Sequence, residues 1–559
     1  MLVVFAAGIL LVLLSGCSQS SPCREVREDL LIERPNVVMI LTEDIGPMLS
    51  CFGDSTVATP HLDQLAKEGV RFTRVYSTSG VCAPSRSALI TGMYPASVGS
   101  NHMRTRIGSN NPDLPLDEYE VVMPEPVRCF TEYLRAAGYY CTIRGKRDWQ
   151  FGKPLSSFND YGKEGSRWSN RSEGQSFFSW INIFTTHESQ VWERKGEPLH
   201  CSPAKVIVPP YYPDTRVVRQ DIARGYSNVA VMDSLVGCIM DELRSDHLDD
   251  STIVIFLSDH GGPLPRQKRE IINSGLHVPM IIRFPGGYRA GEVDSSLISF
   301  VDLAPTILGW TGVEAPSYLH GRDFSRGGNR TGREYVFGAR DRIDSQYDRS
   351  RSVCDGRFVY VRNYFPCRPW KQDIEYRRNM DMIRHMNALH AAGELDSVVS
   401  TWFMDHKAPE FLFDLENDPW EIHNLAGEAG YREKLVAMRR ALEDWKNRYG
   451  DKGTIPEADL VAAMWPGYEQ PLTADPVIRT SKGKITLHCS TPGSSLVYCF
   501  ADPGIRPDPG EPNQWKLYTE PLVPRTGKHL FVVANRIGYA NSNMVVAGDT
   551  AYCQYHKKQ

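Results

Sequence analysis

The segment Val81-Cys82-Ala83-Pro84-Ser85-Arg86-Ser87-Ala88-Leu89-Ile90-Thr91-Gly92 sets a nucleophile, a proline and a cation at fixed spacing. Pro84 suits the first turn of a helix, which puts Cys82 at that helix's N-terminal end, where free N–H groups and the macrodipole favour an anion. Arg86 falls one turn further on, on the same face. Such a pocket could bind an anionic group and attack it with a modifiable side chain. An isolated Cys-Pro pair more often marks a buried cysteine beside a turn, but here the pattern runs on to Thr91-Gly92. Glu43, Asp44 and Asp259 add carboxylates, the ligand type that selects a hard cation such as calcium or magnesium. One acidic pair alone would more simply cap a loop. Acids at two separate places flanking this cysteine element make that reading a poor one.

These residues sit where the sequence predicts strand ends. Asn36-Val37-Val38-Met39-Ile40-Leu41 runs into Thr42-Glu43-Asp44, Phe177 to Phe184 into Thr185-Thr186-His187-Glu188, and Thr252 to Leu257 into Ser258-Asp259-His260. Each apolar, β-branched run reads as a buried parallel strand. Between them, Thr59 to Gly69 and Val127 to Gly138 read as amphipathic helices, the first with Thr59 as cap and Pro60 in its first turn. Alternation of this kind predicts an α/β fold with a doubly wound, mainly parallel sheet flanked by helices. Ligands of such sheets bind beyond the carboxyl ends of the strands. Residues far apart in sequence can therefore meet in one site.

The 559 residues carry 63 Lys+Arg against 67 Asp+Glu and 41 % apolar content, a net charge of −4 that supplies no basic footprint for nucleic acid. The length predicts more than one folded unit. Thirteen cysteines are too few for a disulfide-held miniature and odd in number, so at least one is unpaired or has another task. Residues 1–16, MLVVFAAGILLVLLSG, are apolar but shorter than a spanning helix needs, and read as an export signal. Leu14-Ser15-Gly16-Cys17 resembles the lipobox of bacterial lipoproteins, which implies lipidation at Cys17, a membrane anchor and a place in the cell envelope; simple secretion is the alternative. Residues 17–34 are polar and aperiodic, as a tether would be. No other stretch is apolar enough to span a bilayer.

Cys82-Ala83-Pro84-Ser85-Arg86 with Thr91-Gly92 resembles the signature of the type I sulfatases of the alkaline phosphatase superfamily. Gly321-Arg322, Val301 to Thr306, Leu412 to Leu415, Asp418-Pro419 and Asn424-Leu425 extend the resemblance from about Pro35 to Leu425. It implies that a maturase converts Cys82 to formylglycine, whose hydrate offers one hydroxyl to attack sulfur and a second to expel sulfate. Such covalent catalysis divides a hard displacement into two easier steps. The resemblance also implies a calcium ion on Glu43, Asp44, Asp259 and His260 beside Cys82. Histidine is a poor calcium ligand, and the other reading of His260 is a bond to sulfate. Lys146 and Lys268 match the lysines that stabilise charge on the sulfate oxygens, and Arg86 completes the signature. His187 matches the histidine that donates a proton to the departing alcohol, work suited to imidazole. Many relatives carry Gly-Lys-x-His where this chain has Asp148, so that carboxylate either serves as the base or only pairs with Lys146 or Arg147.

Residues 334–364 are rich in Arg, Asp and Tyr. In the family this region forms a smaller sheet leaning over the pocket, which makes Arg340, Asp341, Tyr347 and Arg351 candidates for holding a sugar, together with Asn101, His102 and Arg104. Arg suits carboxylates and sulfates because its forked donors match paired oxygens. A catalytic unit over 35–327 and an α+β subdomain over 328–460 follow. Residues 471–551 carry short alternating runs between Gly/Pro turns, which predict a small β-sandwich. That part resembles the Fn3-like domains of bacterial glycan-degrading enzymes, and Cys489 and Cys499 could pair across it. The reading is a hydrolase of sulfate esters on a sulfated carbohydrate. The alternatives are an N-sulfoglucosamine sulfohydrolase acting on an S–N bond and, behind it, a phosphodiester or phosphonate hydrolase. A glycan-binding pseudoenzyme would be expected to lose Cys82 or the metal acids, and this chain keeps them.

Overall fold

The structure, a computed structural model, describes residues 33–106, 111–162, 167–325 and 332–548. The export signal, Cys17 and nearly all of the tether lie outside the described residues.

The large sheet is built from β1 (Asn36–Thr42), β2 (Val70–Tyr76), β3 (Tyr140–Arg144), β4 (Phe177–Ile183), β5 (Thr252–Ser258), β6 (His277–Arg283), β7 (Val293–Asp294) and β8 (Ile298–Ser299). Their order is β3-β4-β1-β5-β6-β2-β7, with β8 also on β2. β3, β4, β1 and β5 are mutually parallel, as buried β-branched runs require, and β6 is the strand that runs against both of its neighbours. Alternate residues of β1 supply opposite faces. Val37, Met39 and Leu41 pack with Ala88 and Ile90, while Val38 and Ile40 pack with Met232, Val236 and Ile239.

Helices cover both faces: α1 (Pro60–Glu68), α2 (Cys82–Thr91), α3 (Phe130–Ala136), α4 (Arg216–Ser245) and α5 (Leu303–Trp310). α4 starts where the Thr215 hydroxyl accepts from the Val218 amide at 3.4 Å. Thr59 stands before α1 as expected, but its hydroxyl is spent on Ser50 at 2.6 Å rather than on a helix amide.

The second sheet is antiparallel, in the order β12-β11-β10-β9, from β9 (Val336–Arg340), β10 (Ser350–Cys354), β11 (Phe358–Asn363) and β12 (Glu410–Asp414). α6 (Arg432–Tyr449) lies across it, burying Leu435, Met438, Leu442 and Trp445 at helical spacing. Trp445 stacks on Phe337 at 5.3 Å. His320 joins this helix to the catalytic unit: its ring lies 4.4 Å from that of Tyr449, and its Nδ1 accepts the Tyr94 amide at 3.1 Å. Burial and Arg448 push His320 down to about 4. The folded protein thus takes up this proton later than the unfolded chain, so stability is complete above about pH 6.5 and drains away as pH falls toward 4. Melting curves from pH 7 to 4.5 should fall less steeply in His320→Phe than in the parent; parallel slopes would remove His320 as the cause.

Two further sheets follow α7 (Glu457–Met464): β13 (Val477–Ser481) with β14 (Lys484–His488), and β16-β15-β17-β18 from β15 (Ser495–Ala501), β16 (Lys516–Leu517), β17 (His529–Asn535) and β18 (Val545–Ala547). Ile485 and Leu487 of the first meet Leu530 and Val532 of the second. The other face, Val497, Trp515, Phe531 and Val533, closes on Leu155 of the catalytic unit. Arg135 on α3 clamps this joint, donating to the Leu155 carbonyl at 2.6 Å and the Trp515 carbonyl at 2.8 Å. Cys489 and Cys499, open to pairing in the sequence, are both free thiols, and Cys489 Sγ lies 3.2 Å from the Ala474 carbonyl. Among the described residues, no helix is long and apolar enough to cross a membrane.

Candidate active site

Register brings the three strand ends together. Thr42 lies beside Ile183 on β4 and Ser258 on β5, so the residues that follow each strand leave the sheet at one edge. Cys82 opens α2 there, buried to 1 % exposure, with Sγ 3.8 Å from Glu43 Oε2, 4.0 Å from Asp44 Oδ1 and 3.4 Å from His260 Nε2. Arg86, one turn along, donates to Glu43 Oε1 at 3.1 Å, Asp259 Oδ2 at 3.0 Å and Asn182 Oδ1 at 2.5 Å. All three charged groups are fully buried. The guanidinium fork therefore spans two carboxylates that have no access to water.

Asp44 sits at φ +51°, a left-handed conformation that costs a non-glycine residue of order 1–2 kcal/mol. It is held by its own amide donating to Asp259 Oδ1 at 3.1 Å and by the Glu188 amide donating to its Oδ2 at 2.7 Å. Burial opposes its charge, yet Lys268, His260 and His187 keep its carboxyl well below the usual range. Lys268 bonds Asp44 Oδ2 and lies 3.4 Å from Glu188 Oε1. Lys146 Nζ reaches Glu43 Oε2 at 2.8 Å. Burial disfavours both ammonium charges, but Cys82 and Glu43 outweigh it for Lys146, and Asp44, Cys82 and Glu188 for Lys268; both stay firmly protonated. Gly145, at φ +88°, turns the chain out of β3 to present Lys146, and a side chain there would press on Asn182 at 3.0 Å.

His260 Nε2 lies 3.0 Å from Asp44 Oδ1 and 3.7 Å from Asp259 Oδ1, while Nδ1 faces the Gly261 carbonyl at 3.0 Å. Burial works against its charge, but Asp259 and Asp44 raise it to about 10. His187 goes the other way: burial and Lys268 push it down to about 3. The Ser189 amide donates to His187 Nδ1 at 3.2 Å, so the neutral ring carries its proton on Nε2. Phe184 stacks on that ring at 4.6 Å.

Ligand atoms of Asp44, Cys82, Asp259 and His260 all lie within 4.8 Å of one another. The His260–Asp44, Cys82–His260, His260–Asp259 and Cys82–Asp44 separations, 3.0 to 4.0 Å, are those of neighbouring ligands around one cation held about 2.3–2.6 Å away. Two fully buried carboxylates beside a thiol position and an imidazole fit a divalent ion. Glu43, expected among the ligands, falls in a second such group with Cys82 and His187, and its oxygens also meet Arg86 and Lys146.

Above Cys82 is a cavity of about 200 Å³ whose walls include Lys146, Asp148, His187, Lys268 and Arg104. Asp148 makes no hydrogen bond or ion pair among the described residues; Lys146 is held by Glu43, and Arg147 by the Tyr161 carbonyl. Arg104 pairs with Asp344 and lies over the Tyr376 ring at 5.1 Å. The other expected sugar contacts are placed elsewhere. Arg351 is fully buried between Asp341 at 3.1 Å and Asp451 at 2.6 Å, and Arg340 is spent on Glu270 at 3.1 Å and Gln372 at 2.5 Å. Arg340, Asp341 and Arg351 are therefore internal ion pairs joining the second sheet to its neighbours, because each guanidinium finds a buried acid closer than any pocket. Asn101 and His102 are buried off the cavity, His102 Nδ1 lying 3.7 Å from Glu457. Tyr347 packs on Phe365 at 5.6 Å. Three residues at the site went unnoticed in the sequence: Asn182, which orients Arg86, and the buried pair Glu188–Arg269, 2.7 Å apart, behind Lys268. Glu188 follows directly on His187 at a predicted strand end, a signal that could have found it.

The sulfatase family model matches residues 35–164 and 146–313. An ulvan-active sulfatase of Formosa agariphila is 40 % identical over 551 residues, covering 92 % of this chain and 91 % of that protein. Human N-sulphoglucosamine sulphohydrolase is 26 % identical over 472 residues, 74 % of this chain and 89 % of its own length. A solved structure in complex with its substrate, D-glucosamine-2-N,6-O-disulfate, superposes with a TM-score of 0.54 at 17 % identity, over 76 % of this chain and 99 % of that one. With this resemblance across nearly the whole length, and with Cys82 among carboxylates and lysines at the strand ends, the chain belongs to the sulfatase family and is a sulfatase.

Proposed function

We propose that this sulfatase removes ester sulfate from an acidic polysaccharide of the ulvan type, with Cys82 matured to formylglycine and calcium held by Glu43, Asp44, Asp259 and His260. The observation that carries the reading is Cys82 at the head of α2, 3.4 to 4.0 Å from His260, Glu43 and Asp44. Formylglycine supplies, as its hydrate, a hydroxyl nucleophile, and a bound divalent ion makes that hydroxyl easier to ionise. The rest falls to the side chains present. Arg86 bridges Glu43 and Asp259. Lys146 and Lys268 place two fixed positive charges where the sulfate oxygens gather charge. Asp148, unpaired at the cavity wall, accepts a proton. Because Cys82 and all of α2 are buried, a maturase must reach the segment before the chain has folded.

His187 faces the departing oxygen, and a sulfate bound beside Lys146 and Lys268 would offset the positive charge that keeps its ring neutral, so that the imidazolium hands over the proton. His187→Ala should lower kcat by about 10²–10⁴ on alkyl sulfates, whose leaving groups need that proton, and far less on 4-nitrophenyl sulfate. Equal losses on both would deny it the role. Asp148→Asn should release about one equivalent of alcohol per enzyme and then stall; steady turnover at the parent rate would leave Asp148 no part in proton transfer.

Export, lipidation at Cys17 and residence in the cell envelope complete the proposal, with residues 471–551 as an Fn3-like support for the catalytic unit. The deciding assay measures sulfate release from ulvan, glucosamine N-sulfate and a phosphate monoester, alongside the mass of the Cys82 peptide. Sulfate release from ulvan tracking formylglycine content is expected. Full turnover with an intact thiol would overturn the mechanism, and preference for the N-sulfate would move the substrate to an S–N bond.

A further inference from the structure

A second cavity, of about 320 Å³, lies where the turn after β17 meets the catalytic unit. Arg106 lines it and the cavity over Cys82 alike, so the two adjoin. Its volume falls within the range of sites that take small organic ligands, ~300–1,000 Å³. We propose that it is a subsite for an acidic sugar unit next along the chain from the one whose sulfate sits at Cys82, with the acid group facing Lys153 and a hydroxyl donating to Asn535. This deepens the polysaccharide reading and rests on it.

Charge is the first argument. Arg106, Lys153 and Arg536 line the cavity with one acid, Glu120, among them. Glu120 lies 3.2 Å from Arg106 and also accepts the Gly152 amide at 2.8 Å. Arg536 donates to two carbonyls, of Pro492 at 2.8 Å and Met123 at 3.4 Å, and rests over the Tyr539 ring at 4.7 Å, so its charge is not neutralised there. Lys153 is exposed and makes no ion pair among the described residues. Partial burial, Arg147 and Arg106 all disfavour its charge, which an incoming anion would reverse.

The second argument separates a sugar from a bare anion. Asn535 is 3 % exposed; its Nδ2 is used on Ser156 Oγ at 3.2 Å, while its Oδ1 is buried with no partner. A buried acceptor left unmatched costs free energy until a donor arrives. Inorganic sulfate has only acceptors to offer, whereas a hydroxylated acid brings both the anion that Lys153 lacks and the donor that Asn535 lacks. Asn535, Arg536 and Tyr539 all come from the C-terminal sheets, so that part of the chain shapes the substrate channel instead of only supporting it.

The test compares Lys153→Glu and Lys153→Arg with the parent, all carrying formylglycine, on an ulvan tetrasaccharide and on 4-nitrophenyl sulfate. Losing one charge-assisted contact should raise KM for the tetrasaccharide about 10-fold or more in Lys153→Glu, with recovery in Lys153→Arg. Activity on 4-nitrophenyl sulfate, too short to reach the cavity, should be unchanged. An unaltered tetrasaccharide KM in Lys153→Glu, or equal losses on both substrates, overturns the subsite while leaving the polysaccharide reading intact. If the parent cleaves the aryl ester, yet neither it nor its Cys82→Ala form, followed by titration calorimetry, binds ulvan tetrasaccharide, the polysaccharide reading falls and the subsite with it.

Discussion

Cys82→Ala should lower kcat/KM for sulfate release by at least about 10⁴-fold while leaving the fold intact, because the other hydroxyl in the first turn of α2, Ser85, is spent on the Asp259 carbonyl and Ser77. The sulfur is in contact with Glu43, Asp44 and His260 but neutralises none of them: Arg86 and Lys146 pair with Glu43, Lys268 with Asp44, and His260 with Asp44 and Asp259. Its loss opens a small space and leaves no buried charge unpaired. The melting temperature should therefore stay within a few degrees of the parent. Protein made in a host without the maturase should match the variant in activity, since a thiol cannot carry out the second half of the reaction. Intact peptide mass with a sulfate-release assay checks both, and substantial turnover by either protein would refute the role of Cys82.

Arg86→Met tests the opposite balance, with stability as the first casualty. Methionine fills much the same space, but Glu43 and Asp259 lose the cation that spans them, at full burial. Breaking a buried pair in this way costs roughly 3–5 kcal/mol, because out of reach of water Glu43 keeps only Lys146 and Asp259 only the more distant His260 as counter-charge. Arg357→Met supplies the contrast: its bond to Asp414 is as short, 2.7 Å, but its side chain is 44 % exposed, and loss of such a solvent-screened pair costs little. The two should be well separated in a thermal melt. Calcium should raise the melting temperature of Arg86→Met more than that of the parent, since added positive charge relieves the same acids. Equal melts for Arg86→Met and Arg357→Met would deny the ion-pair network its importance.

What the sequence disclosed about the site followed the range of its signals. Cys82, Pro84 and Arg86 lie within five residues, and helix geometry alone relates them. Glu43, Asp44, Asp259 and His260 announced themselves because each follows an unbroken apolar run, and parallel strands in register deliver such ends to one edge. Arg340, Asp341 and Arg351 misled for a physical reason: nothing local reveals whether a guanidinium faces solvent, substrate or a buried acid. The acid that claims Arg351, Asp451, lies one hundred residues downstream. Asn182 was hidden for a similar cause, an amide within an apolar strand being unremarkable until Arg86 is seen against it. β6 ran contrary to the parallel pattern because a buried strand reads the same in either direction.

The joint sealed by Arg135 also bears on how this enzyme could be taken apart. A chain cut near residue 470 would bare Leu155 and leave a guanidinium facing open water where a carbonyl had been, while the severed piece would show Trp515, Phe531 and Val533 on its outer side. Neither half would make a well-behaved reagent. Attempts to graft this tail onto another catalyst, or to trim it for crystallisation, would have to redesign that seam first.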